Sequence, residues 1–168
     1  HILYSVEAMN SLTTALKPEE KRMLAYTMLM HDIGKPNKHI TRRKDGQIID
    51  SFFDHNLESE KIALRVLAKF GFDKSQVQKI AMLVNKHDIF MFIKDYKPTN
   101  PYHKQLTKEL IQKEITDLNC VGDGEDMFKK LVWVGRADNL AQNENMTEES
   151  LRLLAKIEQM ISQIENEK

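Results

Sequence analysis

Apolar residues along the chain recur at helical rather than strand spacing. Met23, Leu24, Thr27, Met28 and His31 take the i, i+1, i+4, i+5 and i+8 positions of one helix face, so His31 continues a buried stripe and points to the core. Ile62, Ala63, Val66, Leu67 and Phe70 form a second stripe over about residues 56 to 70, and Gly71 supplies its stop. Val77, Ile80, Ala81, Val84 and His87 form a third, opened by Asp73 or Ser75 as cap. Residues 106–118 and 125–142 read as two more helices, the second with Phe128, Leu131, Val132, Val134 and Ala137 apolar and Asp138 among them. Leu151, Leu154, Ile157, Ile161 and Ile164 mark an amphipathic last helix that Thr147 can cap. Residues 2–16 carry a mixed face of Leu3, Val6, Met9 or Asn10, and Thr13 before the Lys17-Pro18 break.

Between these helices, residues 37–53 hold a basic run from Lys38 to Lys44 and an Asp45-Gly46 pair, which predicts a polar loop or short hairpin. Pro98 and Pro101 bracket another connection, and Gly122-Asp123-Gly124 makes a turn. The predicted class is all-α, a single bundle of about six to eight helices. Residues 1–145 are read as the domain, with 146–168 as a C-terminal amphipathic helix packed on it or leading to a further segment. Met9, Met23, Met28 and Met30 are read as core filler.

Composition narrows this picture only a little. With 168 residues, 41% hydrophobic and 30% charged, the chain suits one core. Lys plus Arg and Asp plus Glu number 25 each, so nucleic acid or a membrane surface would have to be met by a local patch. The single Cys120 rules out an internal disulfide and a cysteine-rich zinc site, and agrees with a reducing setting. No apolar run approaches the roughly 18 residues of a membrane span, and no charged-then-apolar leader opens the chain. A soluble, cytoplasmic protein without a membrane partner is expected. A chain beginning at His1 rather than Met leaves room for a longer parent protein.

Candidate chemistry concentrates at His31-Asp32-Ile33-Gly34-Lys35-Pro36. Gly34 is expected to end the helix in a left-handed turn, and Pro36 to prevent its continuation. An imidazole and a carboxylate then meet at a buried helix end, where a carboxylate needs a cation or dense hydrogen bonding. His87, Asp138 and, at a helix start, His55 come from other segments. Mixed imidazole and carboxylate ligands suit a divalent Mn, Fe, Co, Ni or Zn ion, whereas Mg, though admissible, wants more oxygen. Lys35 lies just past the ligands, placed to touch a substrate phosphate. Lys38, His39, Arg42, Arg43 and Lys44 either steer a nucleotide or RNA phosphate or form a solvated loop. Arg136 pairs with a phosphate or with Asp32 or Asp138. His39 and His103 are read as surface residues.

Taken in order, these residues resemble the HD superfamily of metal-dependent phosphohydrolases, and more narrowly the HD domain of bacterial tRNA nucleotidyltransferases, the CCA-adding enzymes, and their poly(A) polymerase relatives. The likeness covers about residues 1 to 142. His1, Tyr4 and Val6 match an opening His-x-x-Tyr-Asp-Val, and His31 to Pro36 match an HDIGKP box. Phe53, His55 and the following helix resemble a Phe-x-Gly-His segment. Leu83-Val84 with His87 match Leu-Val-x-x-His, and Arg136-Ala137-Asp138 with Gln142 match Arg-Ala-Asp-x-x-x-Gln. The resemblance implies an all-helical fold with a His…His-Asp…Asp ligand set, and in two-metal members a second ion on histidines like His55 and His87, bridged by an Asp like Asp32.

Two departures qualify what the resemblance implies. Met9 stands where the first ligand histidine is expected, and Ser5 replaces the Asp of the opening motif. A thioether is a poor ligand for such ions, and His1 is not expected to substitute, since eight helical residues span about 12 Å. The implied metal set is His31, Asp32, His55, His87 and Asp138, with Asp32 and Lys35 catalytic and Lys35 and Arg136 on the substrate phosphate. The implied function is a phosphomonoesterase or phosphodiesterase acting on nucleotides, 2′,3′-cyclic phosphates or RNA ends. The alternative is a catalytically weakened domain that binds RNA or nucleotide, tRNA included, or serves as a scaffold beside an upstream nucleotidyltransferase domain. Retention of the five ligands favours the first reading, and Met9 the second.

Overall fold

The computed structural model describes residues 1–142 and 144–166, with the side chains of Lys44 and of residues 144–146 outside the description. Among the described residues, seven helices longer than one turn dominate and the strands are small, the all-α bundle that the apolar spacing predicts. In order these are α1 (Ile2–Leu12), α2 (Pro18–Met30), the single-turn α3 (Lys35–Lys38), a hairpin of β1 (Ile40–Lys44) and β2 (Gln47–Ser51), and α4 (His55–Val66). Then follow α5 (Lys74–Lys86), the two-residue parallel pair β3 (Ile93–Lys94) and β4 (Lys104–Gln105), α6 (Lys108–Leu118), α7 (Gly124–Leu140) and α8 (Glu144–Asn166). No helix among the described residues is long and apolar enough to cross a membrane.

Local chemistry accounts for the boundaries. Asp73, of its two candidates, caps α5 through a capping box: its carboxylate accepts from Gln76 N at 2.9 Å while the Gln76 amide oxygen accepts from Asp73 N at 3.0 Å. Gly71 stops the preceding 3₁₀ turn, Leu67–Phe70, at φ 78°. Asp45 and Gly46 both have positive φ, the geometry of a tight hairpin turn, and pair Arg42 with Ile49 and Arg43 with Ile48. The helix read over about residues 56 to 70 is α-helical only to Val66, the 3₁₀ turn completing it, and two further boundaries differ from expectation. α1 ends at Leu12 rather than residue 16: Thr13 N–H still bonds Met9 O at 3.1 Å, and beyond it the chain tightens into a turn closed by Leu16 N on Thr13 O at 3.0 Å. α8 starts at Glu144, so Thr147 is not its cap; the hydroxyl reaches Asn139 O at 3.4 Å instead.

Two apolar clusters hold the bundle together. The larger gathers Met9, Leu24, Met28, Leu83, Phe128, Leu131 and Leu154, and the smaller Met23, Met30, Leu67, Ile80 and Val84. α2 and α5 contribute to both, so they run between the two cores and are gripped from either side. Both stop at a histidine, His31 and His87. The start of α1, the start of α4 and the last turns of α7 meet the same end of the bundle.

The turn after α2 is shaped by close approach rather than by a left-handed glycine. Gly34 has φ −81°, contrary to expectation. A Cβ there would lie 2.5 Å from His55 O and 2.6 Å from Ser59 N, so only glycine lets the backbone of α4 cross at this point. The buried Ser59 hydroxyl accepts from Gly34 N at 2.9 Å and locks the crossing. Pro36 does not terminate structure here; it is the second residue of the single turn of α3, where a missing N–H costs nothing.

Candidate metal centre

Five helix ends deliver six polar side chains to one spot. Asp32, 6% exposed, sits in the middle. Its Oδ2 lies 3.4 Å from His31 Nε2, 3.6 Å from His1 Nε2 and 2.6 Å from Lys35 Nζ. Its Oδ1 faces the other way, 3.3 Å from His55 Nε2 and 3.6 Å from His87 Nε2. Asp138 Oδ1 closes the first side, 2.7 Å from His1 Nε2 and 3.2 Å from His31 Nε2, while the Gln142 amide stands 3.5 Å from its Oδ2. Two ligand groups result, His1 with His31 and Asp138, and Asp32 with His55 and His87.

The backbone sets the chemistry of these rings. His31, His55 and His87 each donate from Nδ1 to the carbonyl three residues earlier, Met28, Phe52 and Val84, at 2.6, 2.9 and 2.7 Å. His1 Nδ1 stands 3.4 Å from Ala141 O. For His31 and His87 the partner is an otherwise unsatisfied carbonyl of a helix's last turn, so one bond caps the helix and orients the ring. With Nδ1 holding the proton, the Nε2 of His31, of His55 and of His87 presents a lone pair in the neutral ring. The ring nitrogens crowd together, His1 Nε2 to His31 Nε2 at 3.3 Å and His55 Nε2 to His87 Nε2 at 3.2 Å, and they face carboxylates. Among the described residues, none makes a hydrogen bond to the buried Asp32 Oδ1. Acceptors pressed together in this way need a shared cation, and imidazole nitrogen with carboxylate oxygen is the donor set of a divalent transition metal. The residues present therefore fit such an ion.

Without a metal, protons answer the same surplus of acceptors. His1 is raised above its usual pKa, chiefly by its hydrogen bond to Asp138. Burial acts most strongly on His87 and lowers it, but the hydrogen bond to Asp32, the charge of Asp88 and the hydrogen bond to Val84 O together override this and the net shift is upward. Burial likewise is the largest influence on Asp32 and Asp138 and would raise both. His55 and His87 facing Asp32, and His1 and His31 facing Asp138, outweigh it and hold both carboxyls far below the usual range.

Of the residues singled out from sequence, His31, Asp32, Lys35, His55, His87 and Asp138 come together. Arg136 does not: two residues before Asp138 it points about 200° round α7 and pairs with Glu158 of α8 at 2.7 Å, so neither Asp32 nor Asp138 is its partner. His39 pairs with Asp50 on the hairpin, and His103 lies beside Phe92. Met9 is fully buried in the larger core, as its reading as core filler has it. The expectation for His1 is corrected: set aside on axial distance, it stands with His31 and Asp138 in a group that could hold an ion. The 12 Å between them is real, and it separates the core from the site. Met9's place on the apolar stripe with Val6 and Thr13 is the signal that fits it to the core instead. Asp54, at φ 60°, stands before His55 in the left-handed backbone that a Gly-His pair would adopt freely.

Two hollows reach the cluster. An open cleft of about 740 Å³ is lined by His1, Tyr4, Glu7, Asp32 and Lys35. A cavity of about 570 Å³ touches His87 and Asp138 and continues past Phe90, Asn139 and Gln142. No protein-family model and no curated protein sequence matches the chain.

Two outcomes are expected. His1→Ala lowers affinity for Mn or Zn by at least about tenfold, while Met9→Ala leaves it unchanged and costs roughly 2–5 kcal/mol of stability by opening a core cavity. Titration calorimetry beside thermal unfolding separates the two, and a metal defect confined to Met9→Ala would reverse the assignment. The second outcome concerns pH. Raised histidines stabilise fully below their unfolded value of 6.5 and lose that contribution as pH climbs through their folded values. Lowered carboxyls stabilise above 3.8 and lose it in stronger acid. Metal-free protein should therefore unfold at lower temperature as pH rises above 6.5, and added metal, which needs the bare nitrogens, should remove that decline. Identical pH profiles with and without metal would contradict this.

Proposed function

We propose that the protein is a metal-dependent phosphohydrolase of the HD type, acting on phosphate esters of nucleotides, 2′,3′-cyclic phosphates or RNA ends. The observation that carries this reading is the attitude of Asp32, one oxygen toward His1 and His31 and the other toward His55 and His87. The ordered likeness of five segments to that superfamily supports the same reading. His1, His31, Asp32 and Asp138 would hold one ion, and Asp32, His55 and His87 a second. A divalent ion there supplies an acidified water at neutral pH and withdraws charge from phosphoryl oxygens.

The chain's own groups do the positioning. Asp32 stays ionised through the whole useful pH range and orients the attacking water by accepting its hydrogen bond. Lys35 Nζ, on Asp32 Oδ2 and about one-third exposed, also lines the open cleft. By turning from that oxygen to a phosphate oxygen it exchanges one anion for another. Burial of His31, Asp32, His87 and Asp138 keeps bulk water from the rear of the site. His1 beside His31 and Asp138 weighs against the alternative reading of a domain without turnover, which rests on Met9.

Metal analysis joined to a screen of bis(p-nitrophenyl) phosphate and 2′,3′-cyclic AMP with Mn, Ni, Co and Mg tests the proposal. Turnover with at least one ion is expected. Asp32→Asn should reduce it by more than the roughly 100-fold that loss of an outer-shell partner costs, with helicity intact. No turnover with any ion, or full turnover in Asp32→Asn, would overturn it.

A further inference from the structure

The hairpin of β1 and β2 adds nothing to either core. From His39 to Asp50, every residue with a described side chain is exposed. A two-stranded ribbon on its own is marginal in water, yet this one leaves Ile40, Ile48 and Ile49 in solvent, 44, 66 and 40% exposed. Both of its ends are rooted at the metal centre. Lys35 opens the turn that leads into it, and Phe52, just past it, gives its carbonyl to His55 Nδ1. The ribbon is also basic. Among the described residues no carboxylate lies within ion-pairing distance of Lys38, Arg42 or Arg43, and Asp50 is occupied by His39 and Thr41.

The register sorts these groups onto faces. Arg42 stands opposite Ile49, with Ile40 on the same side by alternation, and Arg43 stands opposite Ile48 on the reverse. On the first face the Arg42 guanidinium lies over the Phe53 ring, 5.4 Å from its centre, and that ring is 61% exposed. A cation stacked on an exposed aromatic beside flat aliphatic surface is the chemistry that receives phosphate and base together.

We infer that the Arg42, Ile49 and Phe53 face binds a single strand of nucleic acid whose terminus enters the metal centre, so that the substrate is a polynucleotide end rather than a free nucleotide. The fate of that terminus rests on the phosphohydrolase reading; the binding does not. A single strand is indicated because Phe53 can stack only on bases released from a duplex. A terminus is indicated because the ribbon's root is the metal centre itself. Lys38, Arg42 and Arg43, with no carboxylate partner among the described residues, supply the attraction to the backbone, which the balanced charge of the whole chain does not.

Fluorescence anisotropy on the metal-loaded full chain, with labelled single strands of about ten nucleotides, ribo- and deoxyribo- in separate arms, tests the inference. Either strand should bind at least about tenfold tighter than a mononucleotide. Arg42→Ala combined with Phe53→Ala should weaken the preferred strand at least about tenfold and flatten the salt dependence by about 0.7 in log–log slope for one lost phosphate contact. Metal content and thermal midpoint should not move. Arg43→Ala, on the reverse face, should cost less than the double variant. Unchanged binding in the double variant, equal binding of the mononucleotide, equal competition by polyglutamate, or capture by phosphatidylserine vesicles without strand binding would each overturn it. A protein that holds the strand and hydrolyses nothing fails the phosphohydrolase reading and keeps this one. One that hydrolyses small esters and binds no strand does the reverse.

Discussion

Among the described residues, none makes a hydrogen bond to the buried Asp32 Oδ1, and four imidazoles turn Nε2 toward it, toward its partner oxygen and toward Asp138. Acceptors left to themselves would spread apart. They stay together because each ring is tied through Nδ1 to backbone, and because the two helices that end in His31 and His87 run between both cores. The desolvation of two carboxylates is costly unless positive charge returns to them, as protons on the histidines or as a metal. Much of the molecule follows from satisfying that demand: the glycine that lets α4 cross at residue 34, the serine that locks the crossing, and the meeting of α1 and α7.

Legibility in the sequence followed the strength of local signals. The helical class, the stop at Gly71, the start at Asp73, and the inward positions of His31, His87 and Asp138 were legible because apolar periodicity and capping chemistry are local. His1 was misjudged for an opposite reason. Distance along α1 says where Met9 and His1 lie relative to each other, but not which end of that helix meets α7. Gly34 was read as a turn residue, when its demand comes from the backbone of a helix some twenty residues further on. Arg136 was read by its nearness to Asp138 in sequence, whereas helical geometry turns the two apart.

The candidate site and the hairpin are held in different ways. The ligands stand on rigid helix ends with their rings fixed by backbone carbonyls, which is what coordination geometry needs. The basic ribbon is exposed wherever its side chains are described, while its root at Phe52 and Lys35 keeps it beside the cleft.

Anomalous X-ray diffraction from crystals of the manganese- or zinc-loaded protein tests the central claim most directly. The account predicts anomalous density within coordinating reach of Asp32, His31 and Asp138. Density confined to His39 or His103, or none at all under saturating metal, would contradict it.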